Sequence, residues 1–481
     1  MGWSLARALV RLTSGRDPAP RPGPLLVELL DRPFDEKDVS YSHYPFSYML
    51  SKGGSGWRYS VACDLPDEGM VRLREAVQDV SQALDPALVE PLTFTRLVDI
   101  LNQMASGRLG TAEGEKLKEL GELVAYEAIG LSRFLALAKD DLVTEFYVDS
   151  DSSPIYLDHA RVGRCETAIM LTERERKAVE THMDTFSGYT LDYATPSLKN
   201  DLEVAGARLR MSLDLEPLSV NRFCLDVRRL SVMSFALPEL IRMGTISAEA
   251  AAFLVAWLEE GGNITIIGET GTGKTTLMNA IDELVNPRLR RIYIEDAVET
   301  KSLLERGYHQ VKIKVDPFER GSGQFHSKEL EIVKVLHRSP DLVVLSEIQS
   351  EEHSRAFFHA LSAGVRGMQT FHASTVEQAV RRWTNVHKVP KQGLLDLGVL
   401  VQMGRPERLG PTRLVSRICL MVADGGEPRI RDIFMRDRGS HVQRVAEWDR
   451  VEPPGGKSSA EFTGHIQEVQ ERLEQGGERK P

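Results

Sequence analysis

Residues 268–275 read Gly-Glu-Thr-Gly-Thr-Gly-Lys-Thr, which satisfies the pattern GxxxxGK[ST] in full. Glycines at Gly268, Gly271 and Gly273 let the backbone turn tightly, so that its N–H groups can face phosphate oxygens. Glu269, Thr270, Thr272 and Thr276 complete the candidate cradle. Lys274 can reach the β- and γ-phosphates of a nucleotide, and the Thr275 hydroxyl can bind Mg2+. The context agrees: apolar Ile264–Ile267 leads in as a strand, and Leu277, Ala280, Ile281 and Leu284 lead out at helical spacing. The chemistry these residues serve is binding of ATP with magnesium. A Gly-rich turn that binds nothing is the alternative, and a complete motif between a strand and a helix weighs against it.

Cleaving a nucleotide takes more than a cradle: one group must hold the metal and another must orient the attacking water. Two acidic clusters follow at strand ends, where α/β sheets place their sites. The first is Ile294-Glu295-Asp296-Ala297-Val298-Glu299, closing the strand Arg291–Glu295. The second closes the apolar strand Leu342–Leu345 with Ser346 and Glu347. Asp296 and Glu347 join Thr275 as candidate metal ligands, and Glu295, Glu299 and Glu347 are candidate catalytic carboxylates. Residues 364–373 (GVRGMQTFHA) carry a short strand, Gln369–Phe371, and then His372. That histidine is positioned to sense the γ-phosphate or relay a subunit contact; a structural role is the alternative.

The elements that must hold these groups in place alternate strand and helix from Asn263 onward, which predicts a parallel sheet covered on both faces and an α/β fold. Residues 232–260 have a helical pattern, with Ser247 as N-cap of Ala248–Leu258. Upstream lies a mixed α+β block. Val143–Val148, Ile155–Leu157, Arg208–Leu213 and Phe223–Val227 read as strands, and Leu171–Ser187 as a helix. Helical segments at Asp67–Ala83, Leu92–Met104 and Ala112–Leu137 precede it, after a loop at Lys52–Ser55. Residues 14–24 read as a flexible arm, and the Gly/Pro-rich stretch after Glu452 leads into a short, charged, flexible tail with the option of forming a helix.

A chain of 481 residues holds two or three domains, and 42% hydrophobic with 27% charged residues is ordinary for a globular protein. The formal net charge of -10 argues against a broad nucleic-acid-binding surface. The four cysteines, Cys63, Cys165, Cys224 and Cys419, are far apart without a CxxC pair, so neither zinc nor a disulfide framework is expected. Reduced thiols fit a cytoplasmic setting. No stretch reaches the roughly 18 apolar residues of a membrane span, so membrane work would need recruitment by partners.

The P-loop, the IEDxxE box, the apolar strand ending in Glu347 and the GxxGMxTxHA box occur in one order. Together they resemble the type II/type IV secretion ATPase family, and most the branch that assembles archaeal pili and the archaellum. Val143–Asp149, Pro154–His159, Gly206-Ala207-Arg208 and Val227-Arg228-Arg229 resemble that branch's N-domain. The resemblance covers residues 140–435. It implies a RecA-like P-loop NTPase C-domain over 232–450 and a smaller α+β N-domain over 111–231. A variable helical N-terminal region, 1–110, and the tail, 451–481, flank them. It implies a homo-oligomer, as a hexamer, that hydrolyses ATP with Mg2+ at the inner face of the cytoplasmic membrane beside a polytopic platform protein. Glu295, Asp296 and Glu299 take the place of the aspartate box, Glu347 of the Walker B glutamate and His372 of the histidine box. Arg208, Arg210, Arg228 and Arg229 take the places of arginines that meet nucleotide at a domain or subunit boundary, where a guanidinium stabilises transferring charge. Surface charges or ordinary ion pairs are the alternative for all four. Three positions depart from the family: Ser346 replaces Gly, Gln349 replaces Arg and Val365 replaces His. They favour a second reading, a slowly hydrolysing or non-hydrolysing nucleotide-dependent scaffold. A RecA-like nucleic-acid motor is a third, against which the acidic balance counts.

Overall fold

The structure is a computed structural model, and it describes residues 39–54, 56–83, 93–109, 115–187, 190–230, 235–315, 327–405, 413–437 and 442–475. The chain divides into two compact units, Met1–Val232 and Met233–Pro481.

The first unit is built on nine strands: β1 (Val39–His43), β2 (Phe46–Gly53), β3 (Gly56–Cys63), β4 (Val143–Val148), β5 (Pro154–His159), β6 (Gly163–Met170), β7 (Ser197–Val204), β8 (Ala207–Leu215) and β9 (Phe223–Arg229). They form one sheet in the order β1-β2-β3-β6-β5-β4-β9-β8-β7. Neighbours run antiparallel except β3 and β6, which pair in parallel through Trp57 with Cys165 and Arg58 with Glu166. Buried residues alternate along the strands, for example Phe46, Tyr48 and Leu50 on β2 and Leu209, Met211 and Leu213 on β8. Helices Asp67–Ala83, Phe94–Leu109, Glu115–Ala128, Ser132–Lys139 and Glu173–Ser187 share one apolar core with that face.

Within residues 1–110, read as a helical region, the described residues are strands as well as helices. Residues 39–63 are strands that extend the sheet of β4–β9, and the helices after them pack into the same core. The period-2 pattern of Phe46, Tyr48 and Leu50 against Ser47, Met49 and Ser51 is the physical cause. Of the loop expected at Lys52–Ser55, Lys52 and Gly53 close strand β2, Gly54 opens the turn towards β3, and Ser55 lies outside the described residues. The single helix expected over Ala112–Leu137 is two within the described residues, broken at Gly130, whose φ of +75° suits glycine.

The second unit holds β10 (Ile264–Gly268), β11 (Arg291–Glu295), β12 (Gln310–Lys314), β13 (Leu342–Ile348), β14 (Gly367–His372), β15 (Val399–Gly404), β16 (Leu414–Asp424), β17 (Glu427–Arg436) and β18 (Val442–Arg444). Their order is β12-β11-β13-β14-β10-β15-β16-β17-β18. Strands β12 through β15 are parallel, and β16 to β18 add an antiparallel edge. Every residue of β10 and β11 is buried, as in parallel strands covered on both faces. The strand entering the P-loop is central, with β14 between it and β13, which carries Glu347. This is the RecA-like P-loop arrangement. It gathers Gly268, Glu295, Glu347 and His372 at the carboxyl ends of neighbouring strands.

In the C-terminal segment the helical option of the expected tail is the one that forms within the described residues, and it packs in place of a flexible tail. Ser459–Glu474 is a helix opened by a capping box at Ser458 and Glu461. Phe462, Ile466, Val469 and Leu473 fall on one face and are buried. Phe462 stands 6.1 Å from the rings of Phe253 and Trp257, on the helix Ala248–Glu259 that Ser247 caps and whose residues from Ala250 to Leu258 are all apolar and buried. Without that cover, the outer face of Ala248–Glu259 would be an apolar surface in water.

His465 locks this packing. Its Nδ1 lies 2.6 Å from Glu260 Oε1 and its Nε2 3.0 Å from Glu259 Oε2, with Lys457 on Glu260 and Arg472 near Glu259. The hydrogen bond to Glu259 raises the imidazole pKa against its burial, and Glu260 adds to the rise. A raised folded value means the contribution to stability is complete below the ordinary histidine value of about 6.5 and is lost as pH climbs through the folded value. His465→Gln should therefore cost about 1–2 kcal/mol at pH 6 and much less at pH 9. Thermal unfolding of both proteins at the two pH values measures the gap.

Candidate functional site

The cradle forms where β10 ends. Gly271 and Gly273 adopt φ of +69° and +87°, which a side chain would resist, and helix Lys274–Asp282 starts directly after them. A Cβ on Gly268 would stand 2.5 Å from Thr272 Oγ1 and 3.0 Å from the Met403 carbonyl, so glycine is required there. Glu269 and Thr270 are exposed at the loop tip, Thr272 is buried, and Thr276 is half-buried one position after Thr275. Thr272 Oγ1 donates to the Glu269 carbonyl at 2.8 Å and fixes the loop. Lys274 Nζ donates back to the carbonyls of Gly268 (3.1 Å) and Glu269 (2.9 Å). The ammonium is thus held at the helix N-terminus, where backbone N–H groups and the helix dipole favour an anion.

Strand register brings the next group in. Gly268 pairs with His372 across β10 and β14. His372 Nδ1 lies 3.4 Å from Lys274 Nζ, and its Nε2 lies 2.5 Å from Glu347 Oε1. Lys274 can only donate, so in the neutral ring the proton sits on Nε2, facing Glu347. Gln349 Nε2 donates to the other Glu347 oxygen at 2.8 Å. Burial pushes the Glu347 carboxyl up, but the hydrogen bond and charge of His372, with help from Gln349 and Lys328, hold it down at about 2. Glu347 is therefore ionised throughout the physiological range.

The first acidic cluster divides its labour. Glu299 Oε2 accepts from Thr275 Oγ1 at 3.0 Å, and its carbonyl accepts from Asn279 Nδ2 at 3.1 Å. Glu295 is fully buried and faces its own turn: it accepts from the N–H groups of Glu299 (3.0 Å) and Thr300 (2.9 Å) and from the Thr300 hydroxyl (2.7 Å). Burial raises its pKa against those hydrogen bonds. Glu295 therefore shapes the turn that presents Asp296 and Glu299, and its carboxylate is engaged by that turn in this structure. Asp296 pairs with Lys328 at 3.4 Å.

The three departures from the family have distinct surroundings. The Ser346 hydroxyl is buried and meets no hydrogen-bond partner among the described residues, while its carbonyl accepts from Thr370 Oγ1. Gln349 replaces a cation by a neutral amide donor on Glu347. Val365 packs at the edge of the apolar core with Phe357 and Leu361.

Arginines outside every motif also frame the site. Arg405 Nη2 and Arg413 Nε reach the Gly271 carbonyl at 2.6 and 2.5 Å, from beside the strands β15 and β16. Arg382 joins the carbonyls of His372 (2.9 Å) and Gln349 (3.0 Å) and lies 4.9 Å over the Phe371 ring. No sequence pattern marks them, because each acts through a backbone carbonyl of a distant segment.

Arg208, Arg210, Arg228 and Arg229 all belong to the first unit. Arg210 and Arg228 are cross-strand neighbours on β8 and β9, and Arg210 bonds Asp201 at 3.0 Å. Arg208 shares their face, opposite the buried Leu209 and Met211. Arg229 points the other way and is buried. Its guanidinium donates to the carbonyls of Val143 (3.0 Å), Leu137 (3.3 Å), Ala138 (2.6 Å) and Asp140 (2.9 Å). Its donors are engaged inside its own unit in this structure, which sets it apart from the other three candidates.

The family model described as "Type II/IV secretion system protein" matches residues 198–405, which run from β7 through the P-loop and both acidic clusters to Arg405. Uncharacterized protein MJ1287 of Methanocaldococcus jannaschii is 30% identical over 206 residues, 41% of this chain and 72% of its own length. The chain belongs to the type II/type IV secretion ATPase family. Uncharacterized protein MJ0900 of the same organism is 26% identical over 320 residues, 66% of this chain, and the match spans 54% of its length. Type IV secretion system protein PtlH of Bordetella pertussis is 32% identical over 134 residues, 27% of this chain and 38% of its own length. The chain thus spans about half or less of the length of these last two relatives. The three departures at Ser346, Gln349 and Val365 lie inside the stretch that carries the family match.

Proposed function

We propose that this chain is an ATP-hydrolysing motor of a type II/type IV secretion or type IV pilus assembly machine, working with Mg2+ in a homo-oligomeric ring, with a hexamer as the expected form. The observation that carries the reading is the continuous path Lys274–His372–Glu347, which joins the phosphate cradle to an ionised carboxylate. The cradle fits ATP: its glycines leave room for phosphate, and Lys274 is poised at the helix N-terminus. Thr275, Glu299, Asp296 and Glu347 offer the hydroxyl and carboxylate oxygens that Mg2+ favours, but among the described residues no three carboxylates gather as a ready-made metal site, so phosphate oxygens would complete the coordination. Bound Mg-ATP would supply the phosphoanhydride bond that water cleaves. Glu347 orients that water and takes its proton, His372 holds Glu347 and reports on Lys274, and Lys274 neutralises phosphate charge. Arg208, Arg210 and Arg228 remain the candidates for guanidiniums that meet nucleotide at a subunit boundary. The family's machines suggest a polytopic membrane platform as partner and a place at the cytoplasmic face of the membrane. Among the described residues, no helix is long and apolar enough to cross one. The resemblance of the boxes favours the archaeal pilus and archaellum branch.

A specific observation supports a second reading. Both oxygens of Glu347 are engaged, by His372 and by an amide where the family has a cation, so a slowly hydrolysing scaffold of the same machine is the rival.

The test of the common core is nucleotide binding. Lys274→Ala should weaken Mg-ATP binding by at least ~100-fold, since removing a charge-assisted lysine–phosphate hydrogen bond from a sheltered site costs about 3 kcal/mol. Calorimetric titration would read it. Equal affinities for both proteins would remove the P-loop from the reading.

A further inference from the structure

Lys328 is a buried cation placed among the acidic groups of the site. Its side chain is 3% exposed, yet it is the first residue of helix Lys328–Lys334, a position that ordinarily faces water. Ser327 caps that helix by accepting from the Leu330 N–H at 3.3 Å. The ammonium lies 3.4 Å from Asp296 Oδ1, at the end of β11, and donates to the Glu347 carbonyl, in β13. One lysine thus ties together the two acidic strand ends. A buried ammonium is costly unless paired, so this placement commits Lys328 to the carboxylate it meets.

We infer that Lys328 is a tethered counter-cation that sets the divalent-metal affinity of this site. It rests on the proposed Mg-ATP reading and adds a regulation to it. A fixed positive charge beside Asp296 opposes a divalent ion approaching the same carboxylate. In the absence of nucleotide, Lys328 neutralises Asp296 and the metal binds weakly. Nucleotide phosphates bring negative charge that outweighs the repulsion, so metal enters together with nucleotide. The metal requirement is thereby coupled to occupancy of the cradle.

The probe is Mn2+, a spectroscopically visible divalent ion, titrated into the full-length protein without nucleotide and followed by electron paramagnetic resonance. Lys328→Met should raise Mn2+ affinity by roughly tenfold, a modest share of the repulsion one charge exerts at this range. Lys328→Arg should restore the weak wild-type affinity. With ADP present, the difference between wild type and Lys328→Met should shrink. Unchanged or lower Mn2+ affinity in Lys328→Met overturns the inference and leaves Lys328 as a structural tie between β11 and β13. Should Lys328→Met fail to fold, Lys328→Gln keeps a donor for the Glu347 carbonyl while removing the charge, and the same comparison applies. Metal-free ADP binding, followed separately, distinguishes the two levels. If wild type does not bind ADP, the Mg-ATP reading itself fails. If it binds ADP normally and Lys328→Met has ordinary Mn2+ affinity, only the counter-cation role fails.

Discussion

Glu347→Gln should abolish Mg2+-dependent phosphate release while ATP still binds. The carboxylate is the ionised group at the end of the path from Lys274 through His372, and the amide cannot take a proton from water. General-base assistance contributes about 10²–10⁴-fold, so release should fall by at least ~100-fold. ATP affinity should stay within about threefold, because Lys274 and the loop N–H groups are untouched. A steady-state phosphate assay beside a binding titration separates the two. The pH dependence follows from the same geometry. His372, Gln349 and Lys328 depress the folded pKa to about 2 against burial, so the carboxylate remains charged as pH falls from 8 to 5. Any acid limb in that range must come from another group. Equal phosphate release by wild type and Glu347→Gln would replace the motor by the scaffold, with Glu347 serving only to hold His372.

What can be read in the sequence, and what cannot, follows from how local each feature is. The cradle is legible because its chemistry is contiguous: eight residues between a strand and a helix specify the turn, the cation and the hydroxyl. The strands β10, β11 and β13 are legible because burial on both faces makes them mostly apolar runs, while β14 mixes Met368 and Phe371 with buried Gln369 and Thr370. Glu295, Asp296 and Glu299 read as one box, but only the fold shows that Glu295 braces the turn while Glu299 faces Thr275. That distinction depends on which way successive side chains leave a strand end, and residue type does not encode it. His372 is a candidate by position, and the pairing of Gly268 with His372 is what places it against Lys274. Lys328, Arg382, Arg405 and Arg413 carry no signal at all. They are ordinary surface residue types, brought to the site by strand order and by helix placement. The two ends of the chain are hard to read for a different reason. In residues 39–63 an alternating pattern is present but is overshadowed by the stronger helical periodicity that follows it. At the C-terminus, Phe462, Ile466, Val469 and Leu473 are spaced for one helical face, so the helix can be read, but its packing on Ala248–Glu259 cannot, because that partner lies far away in the sequence.

Arg229→Met should unfold the first unit at lower temperature and leave the chemistry of the cradle alone. Four buried carbonyls, from Leu137, Val143, Ala138 and Asp140, accept from its guanidinium. The same region is closed from the other side by Tyr41 and Tyr59, whose hydroxyls donate to the Asp140 carboxylate at 2.6 and 2.8 Å. Arg229 therefore fastens the end of β9 to the loop before β4, and Asp140 fastens that loop to β1 and β3. Methionine fills much of the volume but satisfies none of the carbonyls. The Asp140 carbonyl keeps the Val143 N–H at 3.0 Å. Each of the other three acceptors that loses its donor costs about 1–3 kcal/mol, and partial relaxation brings the expected loss to about 4 kcal/mol. For a unit of this size that lowers the unfolding midpoint by on the order of 10 °C. Calorimetry of the full-length protein would show a first-unit transition moved down while Lys274-dependent ATP binding persists. An arginine that stabilises transferring charge would behave in the opposite way, losing turnover by about 10³-fold or more with no loss of stability. The sign of that contrast decides between a clamp inside one unit and a finger reaching for nucleotide. Because the four carbonyl bonds use the guanidinium where it stands, the clamp is the outcome the geometry requires, and it leaves Arg208, Arg210 and Arg228 on the opposite face to be tested as the fingers.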